Sequence, residues 1–114
     1  MVSIFRRSLK TGVVTKRYPT EPESAPDAYR GQIQLDTDHC TGDGACARVC
    51  PANAITVQAD ERGWVWALTD ARCVFCGLCE GVCENGAIRI SREFELATLS
   101  ASDLSTTVRF NRGE

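Results

Sequence analysis

The run with the plainest chemistry in this sequence is Cys73-x2-Cys76-x2-Cys79-x3-Cys83. Thiols at successive threes come from one tight loop and reach three corners of an iron–sulfur cube. The last cysteine, on the helix that follows, points away from that cube towards a second one, as this spacing does where two clusters share a chain. A related run stands upstream, Cys40-x2-Asp43-x2-Cys46-x3-Cys50-Pro51. Zinc competes for thiolates, but structural zinc takes four tetrahedral ligands, usually as two separated Cys-x2-Cys pairs. Seven cysteines in two repeated runs do not divide that way, so the reading favours iron and sulfide. His39 is a ligand only in the zinc reading, and otherwise an exposed residue ahead of a loop.

Crossing the fourth ligands predicts two unequal sites. Cys73, Cys76, Cys79 and Cys50 make an all-thiolate set for one [4Fe–4S] cluster. Cys40, Cys46 and Cys83 make the other, with Asp43 opposite the fourth iron. Carboxylate is a harder ligand than thiolate and a weaker partner for an iron–sulfide cube. Three outcomes are open: Asp43 ligates a [4Fe–4S] cube, water takes that iron, or the iron is lost to leave [3Fe–4S]. Asp43, within Gly42-Asp43-Gly44, also reads as a plain turn residue. Gly42, Gly44 and Gly77 let backbone approach the clusters and aim N–H groups at sulfur. Pro51 follows Cys50, whereas Glu84 follows Cys83. That carboxylate either brings water and charge nearer to the mixed-ligand cluster or is a tolerated turn substitution.

The positioning elements follow from an internal repeat. A shift of 33 residues lays Cys40 on Cys73, Asp43 on Cys76, Cys46 on Cys79 and Cys50 on Cys83. It also lays Ala54-Ile55 on Ala87-Ile88 and Val57 on Ile90. Each half reads strand, ligand loop, short helix, strand, and the halves should pack about a pseudo-two-fold axis. Ile33 and Leu35, Ile55 and Val57, and Ile88 and Ile90 alternate with polar neighbours, as half-buried strands do. Asp60 to Gly63 reads as a turn into Trp64–Leu68, where Trp64, Trp66 and Leu68 share a face. The two tryptophans are expected in core or interface packing rather than stacked on a cofactor. With so few large apolar residues between Ile33 and Ile90, bound metal must complete the core, and the apo chain is expected to be unfolded.

The flanks differ in character. From Met1 to about Gly12, Val2, Phe5, Leu9 and Val13 recur at helical spacing, with Arg6, Arg7 and Lys10 on other faces. This is either a basic amphipathic anchor or a frayed terminus. Pro19, Pro22 and Pro26, among Glu21, Glu23 and Asp27, then predict an extended arm with solvated carboxylates. The expected division is residues 1–30 as helix and docking arm, 31–91 as the cluster domain, and 92–114 as a docking tail.

Composition limits the function classes. A chain of 114 residues that is 43% hydrophobic suits one domain. Its 13 basic and 15 acidic side chains, net charge −2, argue against nucleic-acid binding. No run reaches the roughly 18 apolar residues of a membrane span. The N-terminus lacks the apolar core of a secretion signal, and an odd cysteine count fits disulfides badly, so an intracellular protein is expected. One histidine, no nucleophile paired with a base and no phosphate-binding loop predict no catalytic site, leaving electron transfer.

Cys73-Val74-Phe75-Cys76-Gly77-Leu78-Cys79 resembles the second cluster motif of the ferredoxin-like subunit of respiratory complex I. The same subunit type occurs in formate hydrogenlyase and other energy-converting membrane-bound [NiFe] hydrogenases. Lys10-Thr11-Gly12, Tyr18-Pro19-Thr20-Glu21-Pro22 and Tyr29-Arg30-Gly31 resemble the arm of these subunits. Ser91-Arg92-Glu93-Phe94-Glu95-Leu96-Ala97 is most similar to the hydrogenase branch. The resemblance implies an α+β, two-cluster ferredoxin-like fold with an added N-terminal helix and arm. It implies a peripheral subunit on the cytoplasmic face of the inner membrane, docked on membrane-arm subunits. Electrons would pass between a donor module and the hydrogenase small subunit or, in complex I, towards quinone. Two departures stand out: Asp43 replaces a cluster cysteine, and the chain stops soon after Phe110, without the cysteine-bearing extension of some hydrogenlyase relatives. A free soluble ferredoxin and a structural zinc module are the competing classes.

Overall fold

The computed structural model describes residues 2–111; Met1 and residues 112–114, the ends of the expected helix and tail, lie outside it. Period-two apolar residues form two small antiparallel sheets. In the first, β1 (Ile33–Leu35) pairs with β4 (Ile88–Ile90), matching Ile33 with Ile90 and Leu35 with Ile88. Backbone bonds continue the pairing into the flanks, from Gly31 N–H to Ser91 O and from Gln32 N–H to Glu93 O. The second sheet has the order β2-β3-β5, with β2 at Ile55–Asp60, β3 at Gly63–Thr69 and β5 at Ser105–Phe110. Two five-residue helices, α2 (Ala45–Val49) and α3 (Leu78–Val82), carry the cysteine runs and pack on one another. This is the α+β, two-cluster ferredoxin-like fold that the repeat predicts.

The repeat persists in the backbone. Three pairs of positions related by the 33-residue shift share positive φ: Gly42 and Phe75 (71° and 51°), Gly44 and Gly77 (73° and 84°), Asn53 and Gly86 (49° and 63°). The core repeats as well, since Cys46 and Cys79, Ala54 and Ala87, and Ile55 and Ile88 are all buried. Trp66 and Leu68 complete it from β3, each only 1% exposed. Burial of one β3 face is what the alternation of Trp64, Trp66 and Leu68 demands.

Beyond the repeat, residues 92–111 do more than extend outward. Residues 105–110 become a strand whose alternation seats Val108 opposite Trp66 and Phe110 opposite Trp64, with Phe110 in the core. A six-residue strand needs neighbours to satisfy its backbone groups, and β3 has a free edge beside β2.

The N-terminal helix, α1 (Val2–Thr11), buries no residue and leaves Val2, Phe5 and Leu9 on the surface. Gly12, at φ 65°, ends it and bonds back to Ser8 O. The helix and arm stretch the molecule to 69 Å along its long axis, against 29 and 23 Å across. Tyr18 and Tyr29 place their rings 6.1 and 6.2 Å from that of Phe94. The arm's carboxylates are exposed, as expected, yet two have partners: Glu23 with Lys16 and Asp27 with Arg92. Such exposed pairs add little stability. Among the described residues, no helix is long and apolar enough to cross a membrane.

Leu68 tests this account of the core. Leu68→Ala should cost about 2–5 kcal/mol through lost burial and a residual cavity, read as a lowered denaturation midpoint of the holoprotein under argon. An unchanged midpoint would mean that β3 contributes no core.

Candidate metal centres

The fold brings the cysteines together across the repeat. Cys50, from the end of α2, joins Cys73, Cys76 and Cys79 around one narrow cavity walled by Ile33, Ala54, Ile55 and Val74. In the other group, the negative charges of Cys83 and Asp43 both bear on the Cys40 thiol. Cys40 and Asp43 likewise bear on Cys46. The last cysteine of each run therefore reaches the opposite group. Cys46 and Cys79, one from each run, are both buried and lie close enough for the charge of Cys46 to oppose ionisation of Cys79. Among the described residues, no three of Cys, His, Asp and Glu converge at single-ion distances; the thiols stand around spaces. His39 pairs with Asp36 at 2.8 Å on the surface.

Burial sets the electrostatics. It pushes the thiols of Cys40, Cys46 and Cys73 above their ordinary pKa and that of Cys79 up to about 11. A thiolate in such surroundings needs a cationic partner. The backbone offers partial compensation: Phe75 N–H donates to Cys73 Sγ and Ala54 N–H to Cys50 Sγ, each at 3.3 Å. Gly42 N–H, the equivalent of Phe75, acts on Cys40. Four soft donors around an apolar space, with N–H groups aimed at sulfur, fit an iron–sulfur cluster. When bound, such a cluster accepts and releases one electron at a time.

Asp43 occupies the place of Cys76 under the repeat, at the surface. Its Oδ1 accepts the Ala45 N–H at 3.2 Å, so the turn reading of this residue is realised in the fold. Its charge nevertheless reaches the Cys40 and Cys46 thiols, which keeps it beside the first group.

Sequence reasoning missed what covers the first loop. The Trp64 ring lies against Gly42 so closely that an added Cβ would come within 2.5 Å of it. The indole N–H of Trp66 is buried without an oxygen or nitrogen acceptor and faces the Cys46 sulfur, where it favours the thiolate. The tryptophans are core residues, as expected, and they also roof the first group. Alternation showed that they share a buried face; nothing local showed which loop that face meets. Asp70 was missed too. It is a buried carboxylate with an unpartnered Oδ1, and burial raises its pKa although Gln32 bonds to it.

Comparisons with known proteins agree with this geometry. A family model described as "4Fe-4S binding domain" matches residues 33–56 and 69–89. NADH-quinone oxidoreductase subunit I 2 of Geobacter metallireducens is 34% identical over 79% of this chain and 76% of its own length. Subunit I 1 of Syntrophobacter fumaroxidans is 38% identical over 87% of this chain and 74% of its own. The chain belongs to the NADH-quinone oxidoreductase subunit I family. Formate hydrogenlyase subunit 6 of Escherichia coli is also similar, 38% identical over 96% of this chain, which spans 62% of that protein's length. Among solved structures, a chain of an archaeal respiratory membrane complex, the membrane-bound sulfane sulfur reductase, superposes with a TM-score of 0.67. That match is 28% identical and covers 85% of this chain and 53% of the other. The matched 4Fe-4S binding motifs, which span all seven cysteines, support iron–sulfur clusters in this chain over a structural zinc module.

Gly42→Ala should push the Trp64 ring or the loop aside and strain a backbone already at φ 71°, costing roughly 1–3 kcal/mol. The expected readout is a lower melting temperature with loss of iron from one site. Gly81→Ala, whose Cβ meets nothing within 4 Å, is the control and should keep full iron content.

Proposed function

We propose that this chain is an electron-relay subunit of a membrane-bound oxidoreductase. It passes electrons through two clusters between a donor module and a [NiFe] hydrogenase small subunit. The observation that carries the reading is the pair of crossed cysteine groups, with Cys46 of one near Cys79 of the other. Covalent ligands from both runs and a short protein path between the sites suit one-electron transfer from one cluster to the next. The first cluster takes Cys40, Cys46 and Cys83, with Asp43 at its fourth iron. The second takes Cys73, Cys76, Cys79 and Cys50. Similarity to formate hydrogenlyase subunit 6 along 96% of this chain supports the hydrogenase assignment.

A second reading, a complex I-type subunit passing electrons towards quinone, is favoured by the subunit I relatives. Both readings use the flanks in the same way. The exposed α1 presents Val2, Phe5 and Leu9 beside Arg6, Arg7 and Lys10, a face suited to membrane-arm subunits on the cytoplasmic side of the inner membrane. The arm and the outer part of the tail dock alongside it.

Anaerobic purification of the tagged protein from gently solubilised native membranes, with partners identified by mass spectrometry, tests the reading. Co-purifying [NiFe] hydrogenase and membrane-arm subunits are expected. Quinone-module subunits would select the second reading, and recovery alone from the soluble fraction would sink both in favour of a free ferredoxin.

The role of Asp43 has its own test. In EPR of the dithionite-reduced holoprotein, Asp43→Ala should alter one cluster's signal, or convert it to the [3Fe–4S] form on oxidation, and leave the other unchanged. Two signals identical to wild type would remove Asp43 from the ligand set.

A further inference from the structure

The second site receives a group that no part of its own repeat supplies. Arg30, in the arm, donates from its guanidinium to the Cys76 carbonyl at 2.8 Å, across 46 residues of sequence. In the first half Arg48 makes the same bond to the Asp43 carbonyl, also at 2.8 Å. Asp43 and Cys76 are equivalent under the 33-residue repeat. The equivalent of Arg48 is Gly81, which has no side chain, so α3 cannot provide a guanidinium of its own. The same contact is thus made twice, once from within the repeat and once from outside it.

Surroundings of Arg30 give the contact a definite electrostatic sense. Its Cδ runs beside Gly77, 3.6 Å from where a Cβ would stand there, so the side chain lies along the second ligand loop. It shares a groove with Tyr29, Phe75, Asp70 and Glu93. Among the described residues, neither carboxylate forms an ion pair with it. Reduction adds a negative charge to a cluster, and hydrogen bonds and charges around the ligands set how readily that charge is accepted.

We propose that Arg30 is a positioning residue for the second cluster, through which the arm holds the Cys76 loop and raises that cluster's reduction potential with a fixed positive charge. The inference rests on the ligand set proposed for the second site. Arg30 is exposed, so water screens part of the effect. A charge change there should alter the one-electron reduction equilibrium by roughly three- to tenfold, tenfold being 59 mV.

An EPR-monitored redox titration of the full-length holoprotein tests this, the second cluster being the signal that Asp43→Ala leaves unchanged. Arg30→Gln should lower its midpoint potential by the stated amount, and Arg30→Lys, which keeps the charge, should restore most of the difference. Arg48→Gln should leave this signal in place. An Arg30→Gln protein with both clusters present and the potential unmoved overturns the inference. So does an Arg30→Lys protein shifted as far as Arg30→Gln, which would mark the role as loop geometry alone. Should Arg30→Gln fail to load the second cluster, the lysine variant decides: wild-type potential supports the inference, and a lowered potential or an empty site overturns it. Absence of a second signal from the wild type would overturn the ligand assignment, and the inference with it.

Discussion

Thiols held in a core too small to bury them cheaply are the constraint from which the rest of the structure follows. Cys46 and Cys79 sit among Ile33, Ile55, Ile88 and Trp66 in one hydrophobic cluster. In such surroundings a bare thiolate is disfavoured, as the raised pKa of Cys79 shows. Iron supplies the missing positive charge, and sulfide fills space that side chains of this chain do not. Metal binding is then expected to be coupled to folding. In the proposed ligand sets each site takes its last cysteine from the other run, which couples the formation of the two. This mutual dependence explains how helices of only five residues, too short to persist alone, hold defined positions.

Within that shared frame the two halves have diverged in what surrounds them. The first loop has a carboxylate at its second ligand position, a glycine under the Trp64 ring and an arginine from its own helix. The second has a thiol, a phenylalanine in the strained positive-φ position and an arginine borrowed from the arm. Phe75 is possible there because its ring faces the groove shared with Tyr29 and Phe94, whereas Trp64 leaves no room for a side chain at Gly42. Equal backbones with unequal neighbours give a relay two different sites at little cost to the fold. The arm, by reaching the second loop, ties a segment from outside the repeat to one of them.

The cysteine spacing, the repeat and the alternation of Ile33/Leu35, Ile55/Val57 and Ile88/Ile90 made the grouping of the cysteines, the strands and the repeated backbone legible in the sequence alone. These features are local or periodic: a loop of set length fixes where three thiols can stand, and a period of two fixes which strand face is apolar. The exposed amphipathic α1 is of the same kind, since helical spacing alone defines its stripe.

Only the tertiary structure decided which elements meet. Ser105–Phe110 carries a weak strand pattern, and its place beside β3 depends on an edge formed 40 residues earlier in the chain. Trp64 and Trp66 were legible as sharing an apolar face, but only the folded chain lays Trp64 on Gly42 and Trp66 beside Cys46. Arg30 reads as an arm residue until the chain folds and lays it on the Cys76 carbonyl. Local sequence determined the chemistry of the ligands and the period of each element. The contacts that make the two sites unlike each other are long-range, and a long-range contact is chosen by packing the whole chain.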